Sequence, residues 1–94
     1  MASFDEVWSR IRDCAGQEFH TKTGVTFTYR VTEGSVIPDH TGYPIHMSQF
    51  QKAHVLMPLR GPSEINRLVR GPAYVYALLA DVRTRYGWKA AGDR

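Results

Sequence analysis

The spacing of apolar residues changes period twice along the chain, and each change marks a different kind of element. Phe4, Val7, Trp8, Ile11 and Ala15 recur at helical spacing, which places them on one face. Ser3 and Glu6 stand at the S-x-x-E spacing at the head of that run. In such a capping box each side chain satisfies a backbone N–H that the helix start leaves free. The pattern predicts a helix closed by Gly16, with Arg10, Arg12 and Asp13 mostly on the far side.

The period then falls to two. Phe19 opens a short strand, and Lys22-Thr23-Gly24 suits a tight turn. Val25, Phe27, Tyr29 and Val31 alternate with Thr26, Thr28, Arg30 and Thr32, as in a half-buried antiparallel strand. Glu33-Gly34 marks the next turn. Val36-Ile37 forms a third short strand, which Pro38 ends or confines to a sheet edge. Residues 38–47 read as a loop, with Pro38, Gly42 and Pro44 excluding regular structure.

Helical spacing returns after it. Ser48 and Gln51 form a second capping-box pattern, with Phe50, Ala53, His54 and Met57 on one face. Pro58 disfavours the helical conformation at Met57. Pro62 opens a short helix with Ile65, Leu68 and Val69 inward. Pro72 opens the last helix, with Val75, Leu78, Leu79 and Val82 buried, Tyr74 and Tyr76 on its flanks, and fraying near Gly87. The tripeptide Arg-Gly-Pro occurs at 60–62 and again at 70–72. Gly closes a segment through positive φ, and Pro opens the next helix, where its missing N–H costs nothing. Each copy therefore sets an Arg at a helix boundary. The expected fold is α+β: an N-terminal helix, a small antiparallel three-stranded sheet, then three C-terminal helices. Residues 1–89 are expected to form one domain and 90–94 a flexible C-terminal tail.

Composition narrows the class. A hydrophobic fraction of 43% supports one core. The single cysteine, Cys14, excludes an internal disulfide and points to a reducing, cytoplasmic setting. No stretch resembles a signal peptide or is long enough to span a membrane, so no membrane partner is expected.

No chemistry-bearing constellation emerges. His20, His40, His46 and His54 contain no i, i+4 pair, the spacing of a helical zinc site. His40 and His46 flank one loop, and His54 borders an apolar face as a partly buried, hydrogen-bonded histidine. Cys14 lies near the C-terminal end of its helix, the wrong end to acidify a thiol, and reads as a core filler. Glu33, Asp39, Glu64 and Asp81 are scattered singly. The chain shows no nucleophile elbow and no Gly-rich phosphate loop. The expectation is a protein that is not an enzyme, with no catalytic residue, cofactor or metal.

Charge is unevenly placed. Residues 1–50 carry four Lys/Arg against six Asp/Glu, whereas residues 51–94 carry eight against three, giving −2 and +5. Arg60, Arg67, Arg70, Arg83 and Arg85 lie in the basic half, interleaved with Tyr74, Tyr76, Tyr86 and Trp88. Arg binds phosphate through parallel hydrogen bonds, and aromatic rings stack on bases. These five arginines are the candidate ligands for nucleic acid, DNA or RNA, or another polyanion. Alternatively, Tyr76, Tyr86 and Trp88 with a free sheet edge would serve a protein partner or a homodimer. A purely structural account has Arg60 and Arg70 complementing the preceding helix ends or pairing with Glu64 or Asp81. The runs GVTFTYRV (24–31), Ser48–Met57 and RGPAYVYALLADVR (70–83) are similar to small bacterial domains that stand alone or are attached to larger nucleic-acid enzymes. That resemblance implies a nucleic-acid role and assigns no residue.

Overall fold

The computed structural model describes residues 3–85. Helix α1 (Phe4–Asp13) starts at the expected capping box: the Glu6 N–H donates to Ser3 Oγ and the Ser3 N–H to Glu6 Oε1. Both bonds meet donors with no intrahelical partner. Val7, Trp8 and Ile11 are buried, while Ala15 lies past the helix end and is exposed. The Gly16 N–H donates to the Tyr29 carbonyl at 2.9 Å, tying the end of this segment to the sheet region.

Mixed helix and sheet is the architecture, but the expected three-stranded sheet is in fact two small antiparallel sheets. Strand β1 (Phe19–His20) pairs with β2 (Thr26–Phe27). Strands β3 (Tyr29–Thr32), β4 (Ser35–Pro38) and β5 (Ile45–His46) form the second sheet in that order. The run from Val25 to Val31 is broken at Thr28. There the Thr28 N–H donates to Asp39 Oδ1 at 3.0 Å, and its carbonyl accepts the Asp39 N–H at 2.9 Å. Phe27 and Tyr29 both stay buried across the break, but Val25, ahead of β2, is 46% exposed. The β3–β4 hairpin closes through Glu33 (φ 49°) and Gly34 (φ 78°), the positive-φ pair of a type I′ turn, whose twist matches that of the strands. Strand β5 lies inside the segment expected to be all loop.

Helix α2 (Met47–His54) starts two residues earlier than the expected capping box places it, and its N-cap is His46, not Ser48. Strand pairing sets this position. His46 is opposite Ser35 in β4, and the Met47 N–H donates to the Gly34 carbonyl at 2.8 Å. The Pro62 segment is a single 3-10 turn (Pro62–Ile65). Beyond it the Leu68 and Val69 N–H groups both reach the Ile65 carbonyl. Val69 turns inward, but Leu68, expected inward, is 51% exposed.

The expected last helix is interrupted. Helix α3 (Pro72–Ala80) stops at Asp81, whose ψ of 137° is extended, and α4 (Val82–Arg85) follows. Asp81 caps α4 by accepting the Arg83 N–H at 2.9 Å. The buried Thr84 hydroxyl donates to the Leu78 carbonyl across the break. The side chain of Val82 and the expected fraying near Gly87 lie outside the described residues, as do residues 86–89 and the expected tail 90–94.

One core joins these elements. Phe19, Phe27 and Tyr29 pack ring to ring with centroids 5.5–6.4 Å apart. Tyr74 of α3 meets Phe27 edge-on at 4.9 Å, a favoured aromatic geometry. Trp8 of α1 packs on Phe50 of α2 at 5.7 Å.

Candidate functional site

Three of the five candidate arginines are exposed and stand in the connections between α2 and α3. Arg60 precedes the 3-10 turn, Arg67 follows it, and Arg70 precedes α3. Neither Arg60 nor Arg70 occupies the last turn of a helix, because α2 ends at His54 and the 3-10 turn at Ile65. The favourable helix-end pairing expected for them is therefore absent. Among the described residues the ion pair within 4.0 Å is that of Arg83 with Asp81, so Arg60 and Arg70 pair with neither Glu64 nor Asp81.

The backbone at these arginines is held from a distance. The Arg70 N–H donates to Gln49 Oε1 of α2 at 3.0 Å. The Arg60 carbonyl accepts from Lys22 Nζ, 38 residues earlier in the chain. The Lys22 stem lies along Gly61, with Cδ 3.1 Å from the position a Cβ there would take. Lys22, in the β1–β2 turn, thus joins the basic group. Nothing local in the sequence singled it out, since its partner comes from another part of the fold.

Arg83 is differently placed. Its Nε and Nη2 donate to the two Asp81 carboxylate oxygens at 2.9 and 3.0 Å. Nη1 reaches Gln17 Oε1 at 3.1 Å, and Nη2 also reaches the Glu18 carbonyl at 3.0 Å. Its Cζ lies 3.7 Å from the centroid of the Phe19 ring. The Asp81 hydrogen bond, the largest cause, pushes the guanidinium pKa up. Its hydrogen-bonding fork is occupied within the fold, and it links α4 to the start of β1. The Arg85 side chain, Tyr86 and Trp88 lie outside the described residues.

The aromatic and edge features are also partly occupied. Tyr76 is half-buried, and its hydroxyl donates to the Leu59 carbonyl at 3.3 Å. The Thr26 carbonyl in β2 is bonded to His40 Nε2 at 2.7 Å, and the Tyr29 carbonyl in β3 to the Gly16 N–H. Both acceptors would otherwise be open to an added strand. Among the described residues the large apolar side chains that do face solvent are others: Tyr43 at 76%, Val55 at 75%, Leu68 at 51%, Val25 at 46% and Leu56 at 44% exposure.

Three of the four histidines meet other groups of the fold. His40 meets the Thr26 carbonyl, His46 caps α2, and the His54 ring lies 5.6 Å from that of Phe4. Cys14 is half-buried, and burial pushes its thiol pKa up, against a smaller opposing effect of Arg83. Among the described residues no three His, Cys, Asp or Glu side chains group to hold a metal ion. No helix among them is long and apolar enough to cross a membrane. A cleft of about 300 Å³ opens where the chain passes between sheets, lined by Thr28, Arg30, Ile37, Pro38 and Asp39. One carboxylate oxygen of its Asp39 already accepts the Thr28 N–H.

No family model, curated protein or solved structure gives a significant match to this chain.

Proposed function

We propose that this protein is a binding module without a reaction of its own, and that it holds nucleic acid or a similar polyanion through Arg60, Arg67 and Arg70, with Lys22 beside Arg60. The observation that carries this reading is the contrast among the arginines. Arg83 has four hydrogen-bonding contacts and an aromatic ring within its own fold, whereas Arg60, Arg67 and Arg70 are exposed with no carboxylate of the described residues within ion-pair distance. An exposed guanidinium keeps its planar fork available for two parallel bonds to a phosphate. The +5 balance of residues 51–94 supports the same sign of partner.

Titration of the protein with duplex DNA, single-stranded DNA and RNA at low and moderate salt tests the proposal. Binding should occur at low salt and weaken steeply as salt rises, because phosphate contacts release counterions. No binding to any of the three at low salt rules the proposal out.

Exposure of Val55, Leu56 and Leu68 favours a second reading, association with a protein partner or a second copy. An apolar interface would tolerate salt. Sedimentation of the protein alone at the same two salt concentrations separates the two readings.

A further inference from the structure

Helix α2 begins at a cap of an uncommon kind. The N-cap residue is His46, and its Nδ1 accepts the Ser48 N–H at 3.1 Å. Ser, Thr, Asp and Asn are the preferred N-cap residues. Their oxygens keep an acceptor lone pair through the neutral and mildly acidic range, whereas an imidazole nitrogen loses it on taking up a proton. The Ser48 hydroxyl lies 3.0 Å from the same Nδ1. In the imidazolium only that hydroxyl remains a partner, now as the acceptor, and the backbone N–H loses its own. The new positive charge also opposes the positive end of the helix.

Among the described residues no carboxylate lies within ion-pair distance of the His46 ring. Ser35 of β4 pairs with His46, Gly34 of the hairpin turn approaches Nε2, and Ser48 of α2 bonds Nδ1. Glu33, exposed beside Gly34, forms no ion pair with the ring within 4.0 Å.

The cap is coupled to a second place in the fold. Gln49, in the first turn of α2, accepts the Arg70 N–H. Ile45, just before His46, packs directly against Gly71. The start of α2 and the Arg70–Gly71 corner therefore share two contacts.

We propose that His46 is a pH-sensitive cap: its neutral ring holds the first turn of α2 and, through Gln49, the backbone at Arg70, and protonation loosens both.

Amide hydrogen exchange of the full chain, expressed as protection factors near pH 7.5 and near pH 5.5, on either side of the range where histidines titrate, tests it. The Ser48 and Arg70 amides should each lose about fivefold in protection at the lower pH, the size expected for a lost cap. In His46→Asn, whose cap does not titrate in this interval, that loss should vanish. In His40→Gln it should persist. Unchanged protection of Ser48 in the native chain, or an equal loss in His46→Asn, overturns the proposal. Loss at Ser48 without loss at Arg70 overturns the coupling through Gln49. Should His46→Asn fail to fold, His46→Asp provides the same comparison, and the native chain's own response still decides.

Discussion

Ile45 Cδ1 lies 2.6 Å from the position a Cβ on Gly71 would take, and Gly71 itself holds the left-handed conformation, with φ 57° and ψ 49°. The two copies of Arg-Gly-Pro therefore differ physically. Gly61 has φ 178° and ψ 176°, extended backbone open to any residue, and its nearest neighbour is the flexible stem of Lys22. Gly71→Ala should cost about 2–4 kcal/mol, combining left-handed strain with overpacking. Gly61→Ala should change stability by less than about 1 kcal/mol, because the Lys22 stem can move and the unfolded chain loses freedom. Urea denaturation of the two variants checks this, and equal losses would show that the Ile45 contact does not matter.

Arg83 and Arg70 should separate stability from binding. Arg83→Gln removes the two-point Asp81 contact and the cation over Phe19, and should lower stability by about 2 kcal/mol. It should leave the salt slope of any polyanion binding unchanged. Arg70→Gln should stay within about 0.5 kcal/mol of the native stability, as exposed unpaired residues do, and reduce the logarithmic salt slope by about one. Reversal of these two patterns would remove Arg70 from the binding surface.

Alkaline stability should depend on Tyr29. Its hydroxyl donates to the buried Ile11 carbonyl at 2.7 Å. Burial, and then the neighbouring Cys14, push its pKa upward. The folded state thus favours the protonated phenol more than the unfolded state does. The resulting stabilisation is complete below about pH 10, where an unfolded tyrosine ionises, and is lost as pH rises beyond that. Tyr29→Phe should cost about 1 kcal/mol near neutrality through the lost hydrogen bond. It should also show a shallower loss than the native chain between about pH 9.5 and 11, measured by denaturant titration at each pH.

The β3–β4 turn offers a stabilising change. Glu33 holds φ 49° in the first central position of a type I′ turn, where Asn is favoured. Glu33→Asn should raise stability by about 0.5–1 kcal/mol, seen as a higher thermal midpoint with an unchanged circular-dichroism spectrum.

What was legible in the chain is what neighbouring residues decide among themselves. Ser3 and Glu6 are three residues apart and cap α1 as their spacing predicts. Phe27 and Tyr29 are buried as their alternation predicts, and Pro62 and Pro72 each open a helical turn. Three departures involve groups brought together by folding. The strand through Thr28 breaks because Asp39 takes both its backbone groups. His46 caps α2 because strand pairing with β4 places it there. Arg83 is drawn into the fold by Gln17, Glu18 and Phe19, more than sixty residues earlier in the chain.

The candidate surface follows the same division. The sequence by itself determined the mixed helix-and-strand composition, the first cap, the proline boundaries and the excess of positive charge after residue 50, all properties of local spacing or of composition. Only the tertiary structure decided which arginines remain exposed, that Lys22 joins Arg60, and that Gly71 rather than Gly61 must be glycine. Whether a guanidinium is free or occupied, and whether a Cβ has room, depends on atoms from distant parts of the chain, and their positions exist only once the core has packed.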